Sequence, residues 1–167
     1  QAASSEDATV RLAALKALGK AGDESAVPVL LKTIGAADAE QAQAARASLM
    51  SLAGGKVTEA IVGAMKSAQP AVRVELIRVL VARNAGEAAS AILAETKHAD
   101  AAVRQEALLA LGKLSDPQAL PALVGLLVEA REDPVRQSAA KAVETVALRI
   151  ADSDQRTAPL LAGLAKA

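Results

Sequence analysis

The stretch from Asp100 to Arg131, DAAVRQEALLALGKLSDPQALPALVGLLVEAR, has a counterpart 93 residues earlier, DATVRLAALKALGKAGDESAVPVLLKTI. Asp7 and Asp100, Val10 and Val103, Arg11 and Arg104, Leu15 and Leu108, Leu18 and Leu111, Gly19 and Gly112, Asp23 and Asp116, and Pro28 and Pro121 all fall in register. Each copy reads as two helices joined by a tight turn. A lone hairpin of this kind cannot bury its apolar faces, whereas stacked hairpins bury a continuous core between neighbours. The period therefore dictates a repeat architecture.

Taken in order, the chain divides into five such units, at about 1–36, 37–68, 69–99, 100–131 and 132–167, read as one domain. Asp7 is placed to cap a helix through about Lys20, with Val10, Ala14, Leu15 and Leu18 at helical spacing and Gly19 and Gly22 marking its stop. Asp23 or Ser25 opens the next helix, where Pro28 is tolerated near the first turn and Val27, Leu30, Leu31 and Ile34 form the buried stripe. The second unit diverges. Its Leu49 and Leu52 pair with Leu15 and Leu18 only if about three residues are inserted ahead of them, which predicts an extended helix start, and its second helix is expected over 57–67 with Ile61, Ala64 and Met65 inward. The third unit opens at Pro70, with Ile77 and Leu80 in the core, a turn at Asn84-Ala85-Gly86, and a helix over 87–97 burying Ile92 and Leu93. The fifth opens at Asp133-Pro134-Val135-Arg136 and runs to about Ile150. Asp154 then precedes Pro159 by the offset that separates Asp23 from Pro28, predicting a last helix over 155–166.

Composition agrees with helices packed closely. Apolar residues make up 52% of the 167 residues, alanine is frequent, and alanine has the highest helix propensity. The expected fold class is all-α. Lys and Arg balance Asp and Glu at 19 each, so no global field attracts nucleic acid or an anionic membrane. The chain holds no Phe, Tyr or Trp, which disfavours base stacking and carbohydrate platforms. Without cysteine it has no thiolate ligand or nucleophile, and the compartment is left open. No apolar run reaches the roughly 20 residues that span a bilayer, so no membrane insertion is expected. The start at Gln1, with no charged-then-apolar leader, is compatible with a signal peptide removed upstream.

The order Asp, Val-Arg, Ala and Leu, Gly, Asp, Pro resembles the HEAT-repeat family, in particular the short HEAT-like repeats of the phycobilin-lyase type. The resemblance covers nearly the whole chain, and departs most in the second unit, where Ala44 and Ala45 stand in for Val-Arg. It implies a right-handed α-solenoid of about five helical hairpins, whose first helices form the convex face and whose second helices line the concave face.

No GxSxG, P-loop, HExxH or GxGxxG motif occurs, so no nucleophile or base can be named and the chain is expected to be no enzyme, with no cofactor and no metal. His98, the sole histidine, reads as a loop residue between the third and fourth units. The repeated His-Glu pairs of HEAT-like deoxyhypusine hydroxylase are absent, as are the basic groove and aromatics of HEAT-like DNA glycosylases. Arg11, Arg73, Arg104 and Arg136 share one repeat position and are expected to form a structural ladder, bonding acidic caps such as Asp7, Asp100 or Asp133. The candidate interaction face is the concave strip of Val29, Thr33, Gly63, Ser67, Ala91, Glu95, Ala122, Leu126, Leu160 and Leu164, small-sided and mildly apolar, suited to a partner helix or peptide. Both ends read as uncapped, Val10 and Leu12 at one and APLLAGLAKA at the other, which predicts a segment of a longer protein, or ends that pack on a partner or, in end-to-end self-association, on a copy of the chain. The function expected is a protein-protein interaction scaffold. An auxiliary subunit of an enzyme, such as a phycobilin-lyase component, and a purely structural spacer are the alternatives.

Overall fold

The structure, a computed structural model, describes Ala3, residues 5–35 and residues 38–165, so the boundary expected at 36/37 and the helix end expected at Lys166 lie outside the described residues. The described residues form ten α-helices and no strand, the all-α class expected. They fall into two compact units, residues 1–88 and 89–167.

The first unit holds α1 (Ala8–Ala21), α2 (Val27–Ile34), α3 (Ala39–Ser51), α4 (Val57–Met65) and α5 (Pro70–Ala82). The second holds α6 (Ala89–Glu95), α7 (Ala101–Leu114), α8 (Leu120–Glu129), α9 (Asp133–Ala147) and α10 (Ser153–Leu164). Their first helices pack side by side, α1 on α3 and α3 on α5 in one unit and α7 on α9 in the other. The second helices α2, α6 and α8 pack on the first helices of the following repeats, α3, α7 and α9. Fully buried Leu15, Leu30, Leu49, Ile61 and Leu76 fill the first core, and Leu108, Val135 and Ala139 form a cluster in the second that Leu126, Leu127 and Ala130 cover.

The period shows most clearly in the residues that precede the first helices, Asp7, Asp38, Gln69, Asp100 and Glu132. Where the residue is aspartate, its carboxylate takes up amide protons that a helix start leaves without partners. Asp7 accepts from Thr9 and Val10, Asp38 from Glu40 and Gln41, and Asp100 from Ala102 and Val103. Asp38 thus stands 31 residues after Asp7, and the insertion expected in the second unit is absent. Gln41 and Ala42, not Ala44 and Ala45, occupy the Val-Arg position there. Gln41 bonds both Asp38 and Arg11, at 2.7 and 3.1 Å.

Further expectations are corrected by the structure. Leu93 is 44% exposed, because α6 turns Ile92 inward and starts only at Ala89. The last helix starts at Ser153 under an Asp152 cap, which puts Pro159 inside it rather than near its first turn. The proline leaves the Gln155 carbonyl without its helical donor, and exposed Gln155 can turn to water instead. Helix α9 stops at Ala147, three residues short of Ile150. The turn at 84–86 is as expected, with Asn84 in the left-handed region at φ 53°.

The aspartate caps predict an acid response. The backbone N–H of Gln41, with the Gln41 side chain and the Glu40 N–H, holds the Asp38 carboxyl below its ordinary value of 3.8, and the Ser25 hydroxyl and N–H do the same for Asp23. A carboxyl depressed in the folded state contributes stability that is present above its unfolded pKa and is lost as pH falls through the folded one. Urea midpoints are therefore expected to drop as pH falls through and below the ordinary carboxylate range, with a shallower slope for Asp38→Asn, whose neutral amide still caps the helix. Equal slopes for the two proteins would disprove the role of this carboxylate.

Candidate interaction surfaces

The arginine ladder grips main chain more than acidic caps. Arg11 donates to the carbonyls of Ser5 and Glu6, Arg73 to Lys66 and Ala68, Arg104 to His98 and Ala99, and Arg136 to Ala130 and Arg131, at 2.6–3.3 Å. In each case the guanidinium folds back over the link that enters its helix. Acid pairing is secondary: Arg104 meets Glu132, and Arg136 meets Asp133 at 2.8 Å, whereas Asp7 and Asp100 cap helices. His98 belongs to the same link. Its Nδ1 accepts the Asp100 N–H at 3.0 Å, and its carbonyl takes up Arg104. Among the described residues, no three His, Cys, Asp or Glu side chains group as metal ligands would.

Two further arginines do comparable work across repeats. Arg83 donates to the carbonyls of Leu49, Met50 and Leu52 at the end of α3, and Arg149 to those of Gly112, Lys113 and Ser115 at the end of α7. Sequence reading did not single them out. They stand just past the ends of α5 and α9, at positions three residues apart in the repeat, so register alone does not align them.

The residues of the expected strip differ in exposure. In the first unit Val29, Gly63 and Ser67 are exposed, while Thr33 is half-buried and donates its hydroxyl to the Val29 carbonyl of its own helix. Gly63 lines an open cleft of about 580 Å³ with Glu24, Lys56, Glu59 and Lys66, where charges of both signs alternate. In the second unit Ala91 is half-buried and Ala122 exposed, but Glu95 is buried, 8% exposed, and so is withdrawn from any open face. Leu126 lies half-buried against the Leu108 cluster.

Leu160 and Leu164 do come together, on a surface the sequence did not assemble. With Val124, Leu127, Val128 and Gly163 they line an apolar groove of about 560 Å³ between α8 and α10, edged by Ala130 and Arg136. Gly163 lets the helices close up, since a Cβ there would collide with Val124 Cγ1. Helix α10 is otherwise little covered: Gly163 is its one buried residue among those described, Leu164 is 73% exposed, and Leu161 on the outer side is 64% exposed. On α8 the groove side is the 124-127-128 stripe, rotated from the 122-126 stripe expected; the clue is the helical spacing of Val124, Leu127 and Val128. Arg136 brings little free charge to the rim, because Asp133 and two carbonyls already engage it. None of the described helices is long and apolar enough to cross a membrane.

Comparison with known proteins returns two family matches. Residues 58–144 match the family described as HEAT repeats, and residues 10–35 match the PBS lyase HEAT-like repeat. No curated protein matches the chain. Among solved structures, the crystal structure of an engineered protein is similar at 18% identity and a TM-score of 0.49, over 99% of this chain and 93% of that one. The complex of CpcE and CpcF of phycocyanin lyase from Nostoc sp. PCC7120 is similar at 19% identity and a TM-score of 0.40, over 95% of this chain and 74% of that one.

Proposed function

The chain belongs to the HEAT-repeat family, and from that premise we propose that it is a non-enzymatic scaffold that receives a protein partner on its second helices, the concave side of such a solenoid. The observation that carries this reading is the α8–α10 groove, where apolar side chains converge on an open surface and the single charge at the rim is already balanced. Such a surface recognises apolar shape rather than a charged ligand. Its occupant is the apolar face of a partner helix, which presents side chains at the spacing a groove between two helices accepts.

The test compares the native chain with Leu164→Glu and Leu148→Glu in affinity capture with mass spectrometry. Both leucines are more than 70% exposed, but Leu148 is not among the groove residues. The expected result is a partner held by the native chain and by Leu148→Glu at equal levels, and depleted at least tenfold by Leu164→Glu, a loss of roughly 1.4 kcal/mol. Identical captures by all three proteins would sink the groove as the docking point. A shift in absorbance on adding a linear tetrapyrrole would replace the scaffold reading by that of a lyase component.

A further inference from the structure

Repeats one and four hold the same arginine by the same anchor. Arg11 Nη1 donates to the carbonyls of Ser5 and Glu6, and Arg104 Nη1 donates to those of His98 and Ala99 at the same offsets back along the chain. The guanidinium is a rigid plane, so the shared anchor turns both Nε donors toward the same place in the following repeat. In the first unit that place is filled. Gln41 Oε1 accepts from Arg11 Nε at 3.1 Å, and Gln41 Nε2 donates to Asp38 Oδ2 at 2.7 Å. A carboxamide, buried to 8% exposure, is thus clamped between a guanidinium and a carboxylate.

The second unit has the clamp without the carboxamide. Counted from the residue that precedes each helix, Glu132 takes the place of Asp38 and Val135 that of Gln41. Glu132 Oε1 bonds Arg104 Nη2, valine offers no acceptor, and Arg104 Nε is without a partner among the described residues. Arg104, Glu132 and Val135 line a pocket of about 260 Å³, walled on its apolar side by Leu108 and Leu126. The Arg104 side chain is 17% exposed and that of Glu132 57%, so the donor lies deep and the carboxylate nearer the mouth. Lys97, Glu129 and Arg131 stand round the same pocket, exposed and unpaired among the described residues. The rim carries both signs, so it does not demand a charged ligand.

We propose that this pocket receives a glutamine side chain from a partner polypeptide. Its amide oxygen accepts from Arg104 Nε, its amide nitrogen donates to Glu132 Oε2, and its methylenes lie against Leu108, Leu126 and Val135. The ligand completes in the second unit what Gln41 completes in the first. A glutamate side chain offers Glu132 no proton and sets charge against charge. A methionine fills the apolar walls but leaves Arg104 Nε and Glu132 unanswered. The pocket adjoins the α8–α10 groove at Ala130, and the proposal does not depend on that groove being occupied.

The test follows the methyl signals of the full chain by NMR while acetyl-Ala-Gln-Ala-amide is added to about 50 mM, the range in which so few contacts bind. Saturating shifts are expected at Leu108, Leu126 and Val135, with peptides carrying glutamate or methionine in the middle binding at least tenfold more weakly. Val135→Gln supplies the carboxamide from within and is expected to fold and to abolish binding. Glu132→Ala removes an exposed side chain that caps nothing, and should keep the fold while weakening binding roughly fivefold or more. Leu164→Glu should leave the titration unchanged, which separates failure of this pocket from failure of the groove. An absence of shifts at these methyls overturns the proposal. So does equal binding of the glutamate or methionine peptide, undiminished binding by Glu132→Ala, or binding by a folded Val135→Gln. A site that holds free glutamine at least tenfold more tightly than the tripeptide serves a free amino acid, and overturns the polypeptide as its source.

Discussion

Replacing Arg83 by methionine is expected to destabilise the chain by about 3 kcal/mol. The aliphatic stem is preserved, so the loss isolates the guanidinium. Arg83 Nη1 donates to the carbonyls of Leu49, Met50 and Leu52 at 2.8, 3.2 and 2.8 Å, all at the end of α3. A helix leaves its last carbonyls without internal donors, and the negative end of its dipole adds to the attraction for a cation. Leu49 and Leu52 are 0% and 1% exposed, so water is poorly placed to replace the donor. Arg83→Lys keeps the charge on one ammonium and should recover part of the loss, since lysine lacks the fixed planar fork. The measurement is the urea midpoint at constant m. If methionine changes the midpoint no more than an exposed surface substitution does, the guanidinium is not bracing α3.

Gly19→Ala is the second large effect, and its sign is set by tertiary contact against local preference. In an isolated helix alanine is favoured over glycine by about 1 kcal/mol. Here a Cβ would stand 2.6 Å from Ser48 Cα and 2.7 Å from its Cβ, so α1 and α3 would have to move apart. Backbone is the obstacle, and a rotamer change cannot relieve it. Overpacking of this kind costs roughly 1–3 kcal/mol. The separation also strains the bond from the Ser48 hydroxyl to the buried Leu15 carbonyl, now 2.8 Å, whose loss costs about another 1–3 kcal/mol. A net destabilisation of about 2 kcal/mol follows. Gly63→Ala is the control, because nothing lies within 4 Å of its Cβ position, and it should stabilise by up to about 1 kcal/mol. A stabilised Gly19→Ala would mean that the two helices separate freely.

The elements that the sequence made legible are those with local causes. An aspartate cap acts on amides two or three residues away, so Asp7 and Asp100 could be placed from spacing alone. The leucine stripes and the breaks at Gly22 and Asn84 follow from the same short-range rules. The second repeat was misread because leucines were used to set its register. In an alanine-rich helix several phases bury an acceptable face, and the Asp38 cap was the better anchor. The Asp154–Pro159 offset misled in the other direction, since a proline tolerated at a helix start is also tolerated on an exposed helix whose freed carbonyl meets water.

The candidate surfaces depended on distances that the chain order does not contain. Glu95 was taken for a surface residue from its helical phase, yet it is buried. The grip of Arg83 spans 31–34 residues, and it arises because stacking brings the end of α3 beneath the turn after α5. The groove needs Val124 and Leu160 side by side, and that follows from the approach of α10 to α8 at Gly163. By itself, then, the sequence determined a helical repeat with a period of about 31 residues and aspartate caps at Asp7 and Asp100, because caps and apolar periodicity act over a turn or two of one helix. The tertiary structure alone decided which of those apolar residues remain open, because exposure depends on how closely separate helices approach, and a single glycine or an arginine from the next repeat sets that distance.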